Sequence, residues 1–139
     1  DDITQETDYL TVSAKIESEL SELSDEEAKA MIEELKLESS GLDKLIKKSF
    51  EILGLMTFLT TGPQESRAWT IPIGATAPQA AGVIHTDFEK NFIKAEIINW
   101  QDLIDAGSEA TAKEKGLMRL EGKDYVMQDG DVAHFKTGA

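Results

Sequence analysis

The sequence contains no cysteine and only two histidines among its 139 residues. The first absence removes disulfides, thiolate nucleophiles and Cys-based zinc sites, and it is compatible with a reducing cytoplasm. With so few imidazoles, no metal centre is expected. No apolar run approaches the roughly 18 residues that a membrane span needs, and the opening stretch DDITQETDYL lacks the basic and then apolar plan of a signal peptide. A cytoplasmic protein with no membrane partner is therefore expected. Basic residues are scarce as well: 14 Lys and Arg stand against 27 Asp and Glu, a formal charge of -13. Such a surface repels phosphate backbones unless a local basic patch overrides it. The imbalance is uneven, since residues 1–53 carry 15 acidic and 6 basic residues while residues 54–139 carry 12 and 8. If any part meets RNA, it is the second.

What is present suits one ordinary domain, or a small domain with an appendage, with enough chain to bury a core without staples. The chain opens on Asp, on a polar stretch just ahead of a strand-like run, which points to a processed chain or a piece of a longer one. YLTVSA, residues 9–14, is β-branched and apolar and reads as a short buried strand with no evident partner. SDEEAKAMIEEL opens with a capping-box pattern, Ser24 to Glu27, and sets Ala28, Met31, Ile32 and Leu35 at helical spacing. GLDKLIKKSFEILG predicts a second amphipathic helix, with Leu42, Leu45, Ile46, Phe50 and Leu53 on one face and a stop at Gly54.

After Gly54 the period changes. LMTFLTT and SRAWTIPI alternate as strands around a TGPQE turn signal, and Pro72 marks an edge position or a strand end. Pro78 suits the first turn of a helix that carries Ala81, Ile84, His85 and Phe88 on one face. FIKAEIINW then alternates Ile93, Ala95 and Ile97 against Lys94 and Glu96. Two short helices closed by Gly follow, the second N-capped by Ser108. Finally DYVMQDGDVAHFK reads as a hairpin about Asp129-Gly130. The order from residue 55 is β-β-α-β, short helices, then β-β. That order implies an α+β fold, with one substantial helix against a mixed sheet, as in a β-grasp, ubiquitin-like arrangement.

Catalytic machinery is missing from the sequence. There is no G-x-x-x-x-G-K-[ST] loop, no G-x-S-x-G, no H-E-x-x-H and no G-x-G-x-x-G. The carboxylate pairs Glu26/Glu27 and Glu33/Glu34 fall on the polar side of a helix, and a tight turn accounts for the Asp-Gly-Asp at 129–131 without a cation. The chain thus reads as a binding module and not an enzyme. His85 admits two readings: a helix-end imidazole bonded to the last free carbonyls, or a contact to an anionic or RNA partner helped by Lys90 and Lys94. A β-grasp module that recruits only proteins is the rival to an RNA-facing one.

The stretches SRAWTIPIGATAPQAAGVIHTDFEKNFIKAEIINWQDLI and GLMRLEGKDYVMQDGDVAHFK closely resemble the C-terminal part of the YchF, or Obg-like, ATPase family of translation-associated P-loop proteins. The likeness covers nearly all of residues 55–136. It implies a TGS domain, a β-grasp module shared with threonyl-tRNA synthetases, over residues 54–139, with a helix ending in His85-Thr86-Asp87 and a strand soon after. VSAKIE, residues 12–17, is similar to the last base-contacting motif of the family's nucleotide domain. Residues 1–53 would then be the C-terminal remnant of that domain, a strand plus helices, with Ser13, Ala14 and Lys15 as base-loop residues. A strand cut from its sheet in this way should fray. The resemblance implies ATP or GTP with Mg in the intact parent and no cofactor or catalysis in this chain. It implies as partners the ribosome, with tRNA or rRNA, protein partners and the parent's own nucleotide domain, with His85, Thr86, Lys90 and Lys94 as the contact residues.

Overall fold

The computed structural model describes residues 10–62 and 65–138. They fall into two compact units, Asp1–Leu53 and Gly54–Ala139. The first unit holds α1 (Ala14–Ser21), α2 (Asp25–Glu34) and α3 (Gly41–Leu53). The expected strand over 9–14 is not formed where it can be described: residues 10–13 carry no regular element and a helix begins at Ala14; Tyr9 lies outside the described residues. The reason is local. Ser13 has extended backbone and its hydroxyl accepts from the Ile16 N–H as an N-cap, and no neighbouring strand is present among the described residues to compete for the backbone. One turn on, the Glu17 carboxylate accepts from the free N–H groups of Gly41 and Leu42, at 2.7 and 3.1 Å, and so caps the start of α3.

The capping box of α2 forms as the pattern predicts, with the Ser24 N–H donating to Glu27 and the Glu27 N–H to the Ser24 hydroxyl. Those bonds hold the Glu27 carboxyl below its ordinary range, the Ser24 hydroxyl contributing most. α3 keeps its amphipathic pattern, yet Leu42, Leu45, Ile46 and Leu53 are exposed.

The second unit is built on β1 (Leu55–Thr61), β2 (Ser66–Pro72), β3 (Phe92–Asn99), β4 (Arg119–Glu121) and β5 (Asp131–Thr137), ordered β2-β1-β5-β3-β4 in one sheet. β1 and β5 run parallel and every other pairing is antiparallel. The helices are α4 (Ala77–Ile84), α5 (Thr86–Lys90), α6 (Trp100–Ala106) and α7 (Glu109–Glu114). This is the β-grasp arrangement.

One sheet face packs on α4. Ala77, Ala80 and Ala81 are fully buried against Phe58, Ile71, Ala95 and Ile97, so the helix backbone lies close to the strands. Phe58 sits at the centre, stacked on Trp69 at 6.5 Å and edge-on to Phe135 at 5.8 Å. On the opposite face Ile98, Val132 and Ala112 form a smaller core with Leu59, Leu103 and Met118.

Three expectations need correction. Ile93 does not point into the core: the β3–β5 register slips between Phe92 and Lys94, which buries Phe92 and leaves Ile93 56% exposed. Nor does Phe88 belong to the helix of Ala81 and Ile84, because α4 ends at Ile84 and α5 is a separate turn. The third concerns the C-terminal end. Asp129-Gly130 is a turn but not a hairpin: Ala77 N–H donates to Tyr125 C=O and Met127 N–H to Ala75 C=O, so this stretch pairs with the entry to α4, and only β5 joins the sheet. The other late strand is β4, which the sequence pattern left unmarked. Gly130 itself is required, for its φ is +80° and a Cβ there would lie 2.5 Å from Trp100 Cδ1.

Candidate functional site

His85 separates α4 from α5. Its backbone is extended (φ −157°, ψ 135°) and its N–H closes α4 on the Ala81 carbonyl. The side chain does not reach back to that helix's carbonyls, as the helix-end reading expected. It turns forward, and Nδ1 accepts from the Asp87 N–H at 3.3 Å, which makes the imidazole the N-cap of α5. A neutral ring that accepts at Nδ1 carries its proton on Nε2. With the side chain 60% exposed, tilted at 49° against Phe88 at 5.6 Å and with Asp87 Oδ2 3.6 Å from Nδ1, the Nε2–H is a donor for whatever docks there.

Thr86 opens α5 and Lys90 ends it, both exposed. These residues therefore share one short turn with His85. Lys94 does not join them. It stands opposite Lys136 in the β3–β5 register, two residues from Glu96 and so on the sheet face away from α4. Lys90 and Lys94 have no ion-pair partner among the described residues. Ser13, Ala14 and Lys15 lie in the first unit at the start of α1; Lys15 is 86% exposed and pairs with Glu19 at 3.8 Å.

Two polar clusters escaped the sequence reading. On the face away from α4, the Thr61 hydroxyl and the His134 Nε2 both bond Glu109 Oε1 at 2.8 Å, and the two lie 3.3 Å from each other. Burial pushes the Glu109 carboxyl up, but the bonds from Thr61 and His134 outweigh it and leave it below its ordinary range. Hydroxyl, imidazole and carboxylate are the elements of a nucleophile triad, but the wiring is wrong. A general base needs one ring nitrogen for the hydroxyl and the other for the acid; here Nε2 faces both, and the carboxylate already accepts the hydroxyl proton. The cluster ties α7 to β1 and β5. Beside it Lys113 donates to Glu96 at 3.2 Å, which lowers that carboxyl.

The second cluster centres on Asp131, 1% exposed. It accepts from the Tyr125 hydroxyl (2.8 Å), the Gln128 N–H (2.9 Å) and Arg119 (3.4 Å). Burial and the Asp131 bond push the Tyr125 phenol up to about 12. Asp129 accepts from the Thr57 N–H at 2.8 Å. Both carboxylates of the Asp-Gly-Asp stretch thus hold backbone or side-chain donors. No group of His, Asp and Glu suited to a metal ion occurs among the described residues, and no helix there is long and apolar enough to cross a membrane. No linear motif could have revealed these clusters, whose members lie in different elements.

Residues 55–138 match the family model YchF-GTPase_C, described as a protein of unknown function. The chain is 53% identical over 132 residues to the Ribosome-binding ATPase YchF of Bacillus subtilis, covering 95% of this chain and 36% of that protein. It is 55% identical over 125 residues to the protein of the same name from Pasteurella multocida, covering 90% and 34%. The solved structure of the Schizosaccharomyces pombe YchF GTPase superposes with a TM-score of 0.76 at 43% identity, over 90% of this chain and 33% of that one. The chain spans about a third of the length of these relatives.

Proposed function

The chain belongs to the YchF family, and from that premise we propose that it is the C-terminal binding portion of a translation-associated ATP- or GTP-binding protein, whose TGS unit contacts the ribosome. One observation carries this reading: the 53% identity to a protein named a ribosome-binding ATPase runs through 132 residues and so includes the helical unit as well as the β-grasp unit. In this reading residues 1–53 are the end of a nucleotide-binding domain and Ser13, Ala14 and Lys15 belong to a loop beside the base. The residues present do not fit a nucleoside triphosphate on their own. The sequence has no phosphate loop, and the free amides at the start of α3 are taken by Glu17. Nucleotide, Mg and any hydrolysis are therefore assigned to the portion of the longer relatives that this chain does not span.

Within the TGS unit, His85 with Thr86 and Lys90 forms the RNA-facing contact, and Lys94 belongs to a separate one on the opposite sheet face. An Nε2–H donor fits a phosphate or carbonyl acceptor. With so few free lysines, binding should depend only weakly on salt. Co-sedimentation of the chain with purified ribosomes tests the assignment through two variants. His85→Ala removes both ring and cap, whereas His85→Asn keeps a good N-cap acceptor for α5 and removes the imidazole with its outward Nε2–H. Both should lose ribosome binding with the fold intact; wild-type affinity in His85→Asn would leave the imidazole as a cap and nothing more.

A further inference from the structure

The two edges of the sheet differ. β4 has three residues, two of them charged, and so is blunted in the usual way. β2 has seven, in unbroken register with β1, without lysine or bulge and with proline only at its last position. Its hydrogen-bond phase is fixed at both ends: Gly62 N–H donates to Glu65 C=O and Ile73 N–H to Gly54 C=O. Antiparallel pairs alternate between bonded and non-bonded. Residues 65, 67, 69, 71 and 73 therefore bond inward to β1, and Ser66, Ala68 and Thr70 present their N–H and C=O groups outward. Their side chains are small and exposed, and lie on the face away from Trp69 and α4.

We propose that this edge pairs with the β2 edge of a second copy of the chain, antiparallel about a two-fold axis through Ala68. The outward-facing residues are symmetric about that position, so Ser66 meets Thr70 of the second copy, Ala68 meets Ala68, and each such pair exchanges both backbone bonds. Charge fits the same register. Arg67 is the only charged residue of β2 and lies over Trp69 of its own chain at 4.1 Å; in the pair it stands opposite Trp69 of the second copy, so a cation faces an aromatic ring and not a like charge. A continuous sheet across two copies results. The net charge of -13 on each chain opposes association at low ionic strength, so added salt strengthens it.

Sedimentation equilibrium of the full chain over a range of concentrations, at low and moderate salt, with hydrogen exchange on the same samples, tests the pairing. The expected result is a monomer–dimer equilibrium that salt shifts toward dimer. The Ser66, Ala68 and Thr70 amides should gain protection as concentration rises, while Arg67 and Trp69 are protected throughout. Ala68→Pro removes an outward N–H and no bond to β1, so it should weaken the dimer about tenfold or more and leave the unfolding midpoint in place. Ala68→Lys, which keeps the N–H but sets two like charges face to face, should do the same. A chain that stays monomeric up to about 1 mM, a dimer indifferent to both variants, or full protection of residues 66, 68 and 70 in the dilute monomer would each overturn the proposal.

Discussion

Asp131 carries a buried negative charge with no equally buried positive partner, and three donors make that tolerable: the Tyr125 hydroxyl, the Gln128 amide and the half-exposed Arg119 guanidinium. An amide side chain offers them one acceptor oxygen where the carboxylate offers two. Asp131→Asn should therefore cost about 2–4 kcal/mol in a urea unfolding series. The same substitution has a spectroscopic signature. In the native chain the Tyr125 phenol is raised to about 12, above its unfolded value of about 10. Its contribution to stability is complete below pH 10 and is lost as pH rises from there through the folded value. Without the carboxylate, phenolate absorbance should appear at lower pH. The only other tyrosine, Tyr9, can be removed as Tyr9→Phe so that one titration is read.

At the scale of elements, α4 shows what small side chains do. Ala77, Ala80 and Ala81 are fully buried, and the spacing of helix and sheet is set by their methyl groups. Ala80→Leu should lift the helix and cost about 1–3 kcal/mol by thermal unfolding, whereas Val83→Leu on the exposed side should be nearly silent. The sequence made such elements legible wherever pattern and terminal residue agreed: Ser24 with Glu27 for α2, Pro78 for α4, Ser108 for α7. It misled where the decisive partner is distant. YLTVSA looked like a strand because it is apolar and carries the β-branched pair Thr11 and Val12, but a cap at Ser13 and the reach of Glu17 to Gly41 decide its neighbourhood. Ile93 fitted a strict alternation that the bulge after Phe92 breaks. Asp129-Gly130 looked like a hairpin, yet the residues before it are claimed by Ala75 and Ala77. His85 was legible as a helix boundary; that its ring caps the following helix depends on a backbone angle no spacing encodes.

For the whole molecule, the boundary at Gly54 separates a unit with a buried core from one in which no described residue of any helix is fully buried. Burial is what stabilises a small unit. Residues 54–139 alone should therefore keep a cooperative thermal transition within a few degrees of that of the full chain, whereas residues 1–53 alone should show none. Loss of the transition in residues 54–139 alone would mean that the helical unit holds the sheet together.

The parallel pairing of β1 with β5 has a consequence for synthesis. The first strand of the sheet is made early, yet its neighbour on one side is the last element of the unit, inserted between β1 and β3. Until Asp131–Thr137 has left the exit tunnel, the nascent chain holds two separate pairs, β1 with β2 and β3 with β4, and the aromatic cluster around Phe58 lacks Phe135. Such a domain cannot close one strand at a time behind the advancing polymerisation; it closes in a single late step, and any chain released before that step exposes the edges of β1 and β3 in addition to those of β2 and β4.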